Sequence, residues 1–344
     1  MKGKDMLNLT AEEARKIYDE SIIVNGMAGM TYAFDVFKET KQTAAVFTLA
    51  AHNEDAHRAI ELFKNYYAAL IAHRDSILLI ETADDIIRSK KEGKLGMIIG
   101  FQTSTPVGLD WTNLWLYHKL GLRIMQLTYM NHTMCGDGCN EVEDHGLTAF
   151  GKQMIDVMNQ VGILLDLSHC GWKTAADALA YTDRPVICSH TNPAAICQTS
   201  RNFPDDLIKG IAASGGVMGI NGHPMICSTR KGKSQPDISD YMDCMDYMIK
   251  VAGIDHVGIG PDLFHGFTLW EEERWHTGGY VLDGGWKFTM GLENEYDVPN
   301  IAVEMAKRGY NKEEIQKVMG MNFLRVFEKA WKPGFKNTGH KCIL

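Results

Sequence analysis

Two histidines stand at matching places in the stretch Gly162 to Asn202. His169 follows the apolar run Ile163 to Ser168, His190 follows Pro185 to Ser189, and an Ala-rich helical segment separates the two runs. The pattern predicts a strand, a helix and a second strand, and twenty-one residues between the histidines is the length one βα repeat requires. In a parallel sheet the C-terminal strand ends share one face, so both imidazoles converge there, as metal ligands do on barrel enzymes. Either histidine alone reads as an ordinary buried or capping residue. Two Ser-His strand ends one repeat apart argue against that.

The same reading extends to the other strand ends: Asn25 or Met27, His52, Gln102, Tyr129, His169, His190, His223 and Asp262. A packed barrel interior has no need of so many polar groups at one rim. Neutral imidazoles with a carboxylate suit Zn2+, beside which a bound water loses a proton near neutral pH. A carboxylate such as Asp262 can take that proton and pass it to a leaving group. The chemistry is metal-assisted hydrolysis.

Eight apolar runs supply the strands: Ser21 to Ala28, Ala44 to Ala51, Leu95 to Phe101, Leu122 to Thr128, Ile163 to Ser168, Pro185 to Ser189, Gly215 to Asn221 and Asp255 to Pro261. Helical segments alternate with them, among them Glu54 to Arg74, where Ala56, Ile60, Phe63, Tyr67, Leu70 and Ile71 fall at helical spacing. No Pro/Gly/Ser linker divides the chain. The expectation is one (β/α)8 TIM barrel over residues 1–344, closed by C-terminal helices in 298–331. A doubly wound open sheet fits less well, because Asn25-Gly-Met-Ala-Gly29 is not a GxGxxG phosphate turn.

A length of 344 residues allows a large core, and a net charge of -8 leaves no basic footprint for nucleic acid or an anionic membrane surface. The charged N-terminus lacks the apolar run of a signal peptide, and no stretch approaches the ~20 apolar residues of a membrane span, so a cytoplasmic protein is expected. Eight scattered cysteines read as buried free thiols, including Cys135 and Cys139, which lack a second pair at zinc-finger spacing. His132, Asp137 and Glu141 fall in a long loop expected to be polar and solvated. His265, Trp270, Trp275 and His276 suggest a lid or an aromatic partner surface.

Five segments carry a further signal: LTYMNHT, GLTAFGKQMIDVMNQVGILLDLSH, RPVICSHTNPAAICQTSRNFPDDLIKGIAASGGVMGIN, VAGIDHVGIGPD and GYNKEEIQKVMGMNFLRVFE. Together they resemble the renal (membrane) dipeptidase family, peptidase family M19, from about Gly93 to Glu328. The resemblance implies an amidohydrolase-type barrel with a two-zinc dipeptidase site, commonly in a homodimer. It also implies that His169 and His190 belong to the second metal position, that Asp262 binds metal and moves the proton, and that Arg201 pairs with a substrate carboxylate. Its departures are Met27-Ala28-Gly29 where the family has His-x-Asp, Gln102 where it has a bridging glutamate, and Tyr129 where it has a histidine. A thioether and a glycine do not replace imidazole and carboxylate.

The resulting expectation is a reduced centre. One Zn2+ is held by His169, His190 and Asp262, Asp262 and Tyr129 handle protons, and Arg201, Asn202, His52, His223 and Gln102 contact the substrate. That substrate is a small carboxylated molecule with an amide or similar C–N bond. Two alternatives stay open: a barrel that only binds an amino-acid-like ligand, and a lyase or isomerase using Tyr129 as acid and Asp262 as base.

Overall fold

The computed structural model describes residues 9–28, 34–52, 54–227, 235–263 and 289–333. Its strands are β1 (Val24–Asn25), β2 (Ala44–Ala50), β3 (Ile77–Leu79), β4 (Leu95–Phe101), β5 (Leu122–Gln126), β6 (Leu164–Asp166), β7 (Ile187–Thr191), β8 (Val217–Ile220) and β9 (Val257–Ile259). Neighbours pair in the order β2-β1-β9-β8-β7-β6-β5-β4-β3, and a further pairing of β2 with β4 closes the ring. Every pairing is parallel. Helices separate most consecutive strands, so the architecture is a closed eight-stranded α/β barrel of the TIM type, as expected.

Each of the eight apolar runs contains a strand or, for Pro185 to Ser189, the first part of one, and β3 is additional. It pairs only with β4, Ile77 opposite Leu95 and Leu79 opposite Met97, along the half of β4 that β5 does not reach. Four apolar residues between two helices carry no period that separates a strand from a helix end, so the sequence alone does not mark Ile77–Leu79 as a strand. Its following helix, Ala83–Glu92, opens with a capping box of Thr82 and Asp85 and ends on the left-handed Gly93.

The barrel has a plugged end and an open one. Val24, Val46, Ile98, Ile124, Leu164, Ile187 and Val217, from near the starts of seven strands, pack with Phe323, Phe327 and Trp331 of the C-terminal helix. Phe323 presses so close to β9 that a Cβ on Gly258 would lie 2.5 Å from its ring. With the N-terminal end closed by these rings, polar side chains are left to the C-terminal end. Helix Ala149–Val161, capped by Thr148 and stopped by left-handed Gly162, turns the chain directly into β6 and His169.

Candidate active site

Four of the five described non-glycine residues with positive φ lie just past strand ends: His52 (49°), Met130 (58°), His169 (65°) and Asp262 (57°). Left-handed backbone costs a residue with a Cβ about 1–2 kcal/mol. Such strain persists where the surroundings impose it and clusters at functional sites. Here it turns three of the expected side chains, His52, His169 and Asp262, off the ends of β2, β6 and β9.

The rings meet in series. His52 packs edge-on to Tyr129 at 4.2 Å between centroids, Tyr129 stacks on His169 at 4.3 Å, and His169 lies 4.9 Å from His190. His169 and His190 approach Nε2 to Nε2 at 2.8 Å. His190 differs from expectation in one respect: it sits inside β7 rather than after it, and is fully buried. Burial first, then the neighbouring Arg201 and His223, hold its pKa well below the ordinary imidazole range. Neutral His190 therefore keeps a nitrogen lone pair available.

Strand β7 reaches this position because glycines surround it. A Cβ on Gly26, Gly219 or Gly260 would lie 2.6, 2.0 or 2.0 Å from the Ser189 carbonyl oxygen. Only residues without a side chain let three neighbouring segments close around that carbonyl.

On the first-metal side the sequence departures form a packed neutral cluster. Met27 is buried, and its sulfur accepts hydrogen bonds from Thr48 Oγ1 at 3.3 Å and Gln102 Nε2 at 3.4 Å. Gln102 Nε2 also lies 3.4 Å from His190 Nε2. A thioether held by a hydroxyl and an amide is no ligand set for zinc, and these residues do not fit a first metal ion. The imidazole pair fits a single ion better. Two nitrogens on a tetrahedral zinc stand about 3.3 Å apart, so opening the 2.8 Å contact by about half an ångström would admit one. Among the described residues no group of three or more His, Cys, Asp or Glu side chains is arranged to hold a metal ion.

The remaining expected residues take distinct places. Asp262 accepts a hydrogen bond from Asn221 Nδ2 at 3.2 Å, and Asn221 Oδ1 accepts from the His223 backbone at 2.6 Å, which links the ends of β8 and β9. Arg201 is 3% exposed, its Nη2 donates to the His190 carbonyl at 2.8 Å, and its Nη1 is buried with no hydrogen-bond partner. Asn202 is a clasp for its own loop: Nδ2 donates to the carbonyls of Cys197 and Ile226, while Oδ1 is buried and unpaired.

Sequence reasoning missed several supporting groups. Asp166, the one charged residue in ILLDLSH, is buried behind the imidazoles with Ser168, Ser189 and Gln126 around it. Its signal was a carboxylate in an otherwise apolar run. Asp137 corrects the picture of a solvated loop: it is 4% exposed and receives His132 Nδ1 at 2.6 Å, the His145 backbone at 2.6 Å and His145 Nδ1 at 3.2 Å. Burial alone would raise its pKa, but these hydrogen bonds outweigh it and hold the carboxyl below its ordinary value. His132, Asp137, Glu141, Glu143 and His145 line a separate pocket of about 570 Å³. The seven described cysteines are buried free thiols, and burial raises Cys170, Cys188 and Cys197 to about 12. Gly29, His265, Trp270, Trp275 and His276 lie outside the described residues.

A parallel barrel whose open end carries an imidazole pair, an aspartate and a buried arginine belongs to the amidohydrolase type. The chain belongs to the membrane dipeptidase family, peptidase family M19, whose model matches residues 12–273 and 277–336. It is 26% identical over 310 residues to a dipeptidase, tcpJ, of Claviceps purpurea, covering 90% of this chain and 68% of that one. It is 29% identical over 264 residues to an uncharacterized dipeptidase, C965.12, of Schizosaccharomyces pombe, covering 75% of this chain and 59% of that one. The crystal structure of an amidohydrolase from Pseudomonas aeruginosa superposes with a TM-score of 0.86 at 28% identity, over 94% of this chain and 99% of that one. Among the described residues no helix is long and apolar enough to cross a membrane.

Proposed function

We propose that this chain hydrolyses an amide or similar C–N bond in a small carboxylated, amino-acid-like substrate, with a single metal ion at His169 and His190. The observation that carries the reading is the 2.8 Å convergence of the two Nε2 atoms beside a buried arginine with an unpaired Nη1. Membership of the dipeptidase family supports it.

Arg201 binds the substrate carboxylate. One arm of its guanidinium is anchored on the His190 carbonyl, so the free Nη1 is held at a fixed distance from the imidazoles. A guanidinium in a buried setting forms strong charge-assisted bonds to a carboxylate, which offsets the cost of its own desolvation. His169 and His190 would hold the ion, with water and the Gln102 side chain beside His190 completing the set. Bound there, Zn2+ would lower the pKa of a water and polarise the scissile carbonyl. Asp262, oriented by Asn221, accepts the proton of the attacking water and returns it to the leaving nitrogen. The C–O bond forms, the C–N bond breaks, and an acid and an amine leave. Tyr129, whose ring lies between those of His52 and His169, would donate a hydrogen bond to the carbonyl.

One observation favours a second reading. Met27, Thr48 and Gln102 fill the first-metal position with neutral, mutually bonded groups, as a barrel that binds its ligand unchanged would allow. Turnover decides between them. A panel of dipeptides and N-acyl amino acids is incubated with the protein, with and without added Zn2+, and products are weighed by mass spectrometry. Gain of one water per substrate supports hydrolysis, tight binding without conversion supports the binder, and conversion without added water identifies a lyase or isomerase.

A further inference from the structure

Behind the imidazole pair runs a line of short hydrogen bonds that ends on a buried carboxylate. Asp166 Oδ2 lies 2.5 Å from Ser189 Oγ, Ser189 Oγ lies 2.7 Å from His190 Nδ1, and His190 Nε2 lies 2.8 Å from His169 Nε2. Asp166, Ser189 and His190 are all essentially inaccessible to water. No solvent can reverse the donors and acceptors along the line.

Their direction follows from Asp166. Three N–H groups point at its carboxylate: the backbones of Ser168 at 2.9 Å and Ser189 at 3.0 Å, and Gln126 Nε2 at 3.0 Å. The Ser168 hydroxyl adds a fourth donor at 2.8 Å. An N–H cannot accept, so the carboxylate is the acceptor throughout. The Ser189 hydroxyl has one proton and gives it to Asp166. Its oxygen then accepts from His190, which places the proton of neutral His190 on Nδ1 and leaves the lone pair on Nε2.

We infer that Asp166 and Ser189 are positioning residues that fix the tautomer and ring orientation of His190, so that Nε2 always presents a lone pair to the open end of the barrel. The arrangement extends the pattern in which a carboxylate orients a metal-binding histidine, here with a serine inserted between the two groups. It also explains a carboxylate at the end of an otherwise apolar strand. Satisfied by five donors, Asp166 is not a stray charge in the core but the fixed end of the relay.

The tautomer can be read without metal or substrate, so this inference can fail separately from the hydrolase reading; only the affinity readout rests on that reading. Full-length protein labelled with 15N at histidine is examined by NMR couplings between ring protons and nitrogens, with His190→Asn supplying the assignment. Wild-type protein is expected to show His190 protonated at Nδ1. Ser189→Ala is expected to show a mixed or reversed tautomer and to bind Zn2+ ten- to a hundredfold more weakly, the range for loss of such outer groups. Ser189→Thr, which keeps the hydroxyl, restores both. Wild-type His190 protonated at Nε2 overturns the inference whatever the variants do. A Ser189→Ala protein with the wild-type tautomer also overturns it, whereas an altered tautomer with unchanged Zn2+ affinity overturns the metal reading and leaves the relay standing.

Discussion

His169 and His190 come from neighbouring strands whose only register pair is Asp166 with Ile187, yet their Nε2 atoms lie 2.8 Å apart. One side chain arrives from a left-handed residue three positions past its strand, the other from within its strand. Both histidines stand three positions beyond that pair, so they are level in register although β6 ends at Asp166 and β7 runs on to Thr191. His169→Asn keeps a residue that tolerates left-handed backbone and removes the imidazole. We expect a loss of at least a hundredfold in kcat/KM, with the urea midpoint nearly unchanged.

Arg201 has one bonded and one unpaired nitrogen, so its anchoring and binding roles can be separated. Arg201→Lys keeps the charge and loses the planar fork. KM for a carboxylated substrate should rise tenfold or more. The same substrate with its carboxylate amidated should be turned over equally poorly by wild type and variant.

Met27 is buried, with Thr48 and Gln102 on its sulfur, and serves as core. Truncation of a buried methionine costs roughly 2–5 kcal/mol. Met27→Ala should lower stability by an amount in that range, measured by urea unfolding, and leave Zn2+ stoichiometry unchanged. A lost or gained equivalent of zinc would show that the position still participates in metal binding.

Asp137 ties down the loop after β5 through two histidines and a backbone amide. Asp137→Ala leaves the His145 amide without its acceptor, at a cost of about 1–3 kcal/mol. Thermal unfolding should report that loss. His132→Ala should cost less, because its ring is largely exposed and water can replace it.

His118 gives the fold a pH dependence. Half-burial, then Arg123 and Lys119, lowers its pKa to about 4. In the unfolded chain it takes up a proton near 6.5, so stability is full above that pH and falls as pH drops toward 4. Allowing for partial exposure, the loss is on the order of 1–2 kcal/mol. Urea midpoints between pH 7 and 4 should fall less steeply in His118→Asn than in wild type.

Much of this architecture was legible in the chain. Each long apolar run became a strand because a strand covered on both faces needs nothing else, and polar residues at the ends of those runs marked the open end. Short-range signals stopped at β3, whose few residues carry no period. They stopped also at Asp137 and Asp166, whose character depends on partners dozens of residues away or across a loop. An aspartate beside glycines reads as solvated until the histidines that cover it are placed. Likewise, nothing in Met27 alone indicates that Thr48 and Gln102 converge on its sulfur.

One metal ion at the His169–His190 pair is expected to drive hydrolysis. Protein stripped with a chelator and titrated with Zn2+ tests it, with hydrolysis of a carboxylated amide followed at each addition. Activity should rise linearly and saturate at one equivalent per chain, and His169→Asn should show neither the activity nor the equivalent. Saturation at two equivalents, or hydrolysis unaffected by removing and restoring the ion, would contradict it.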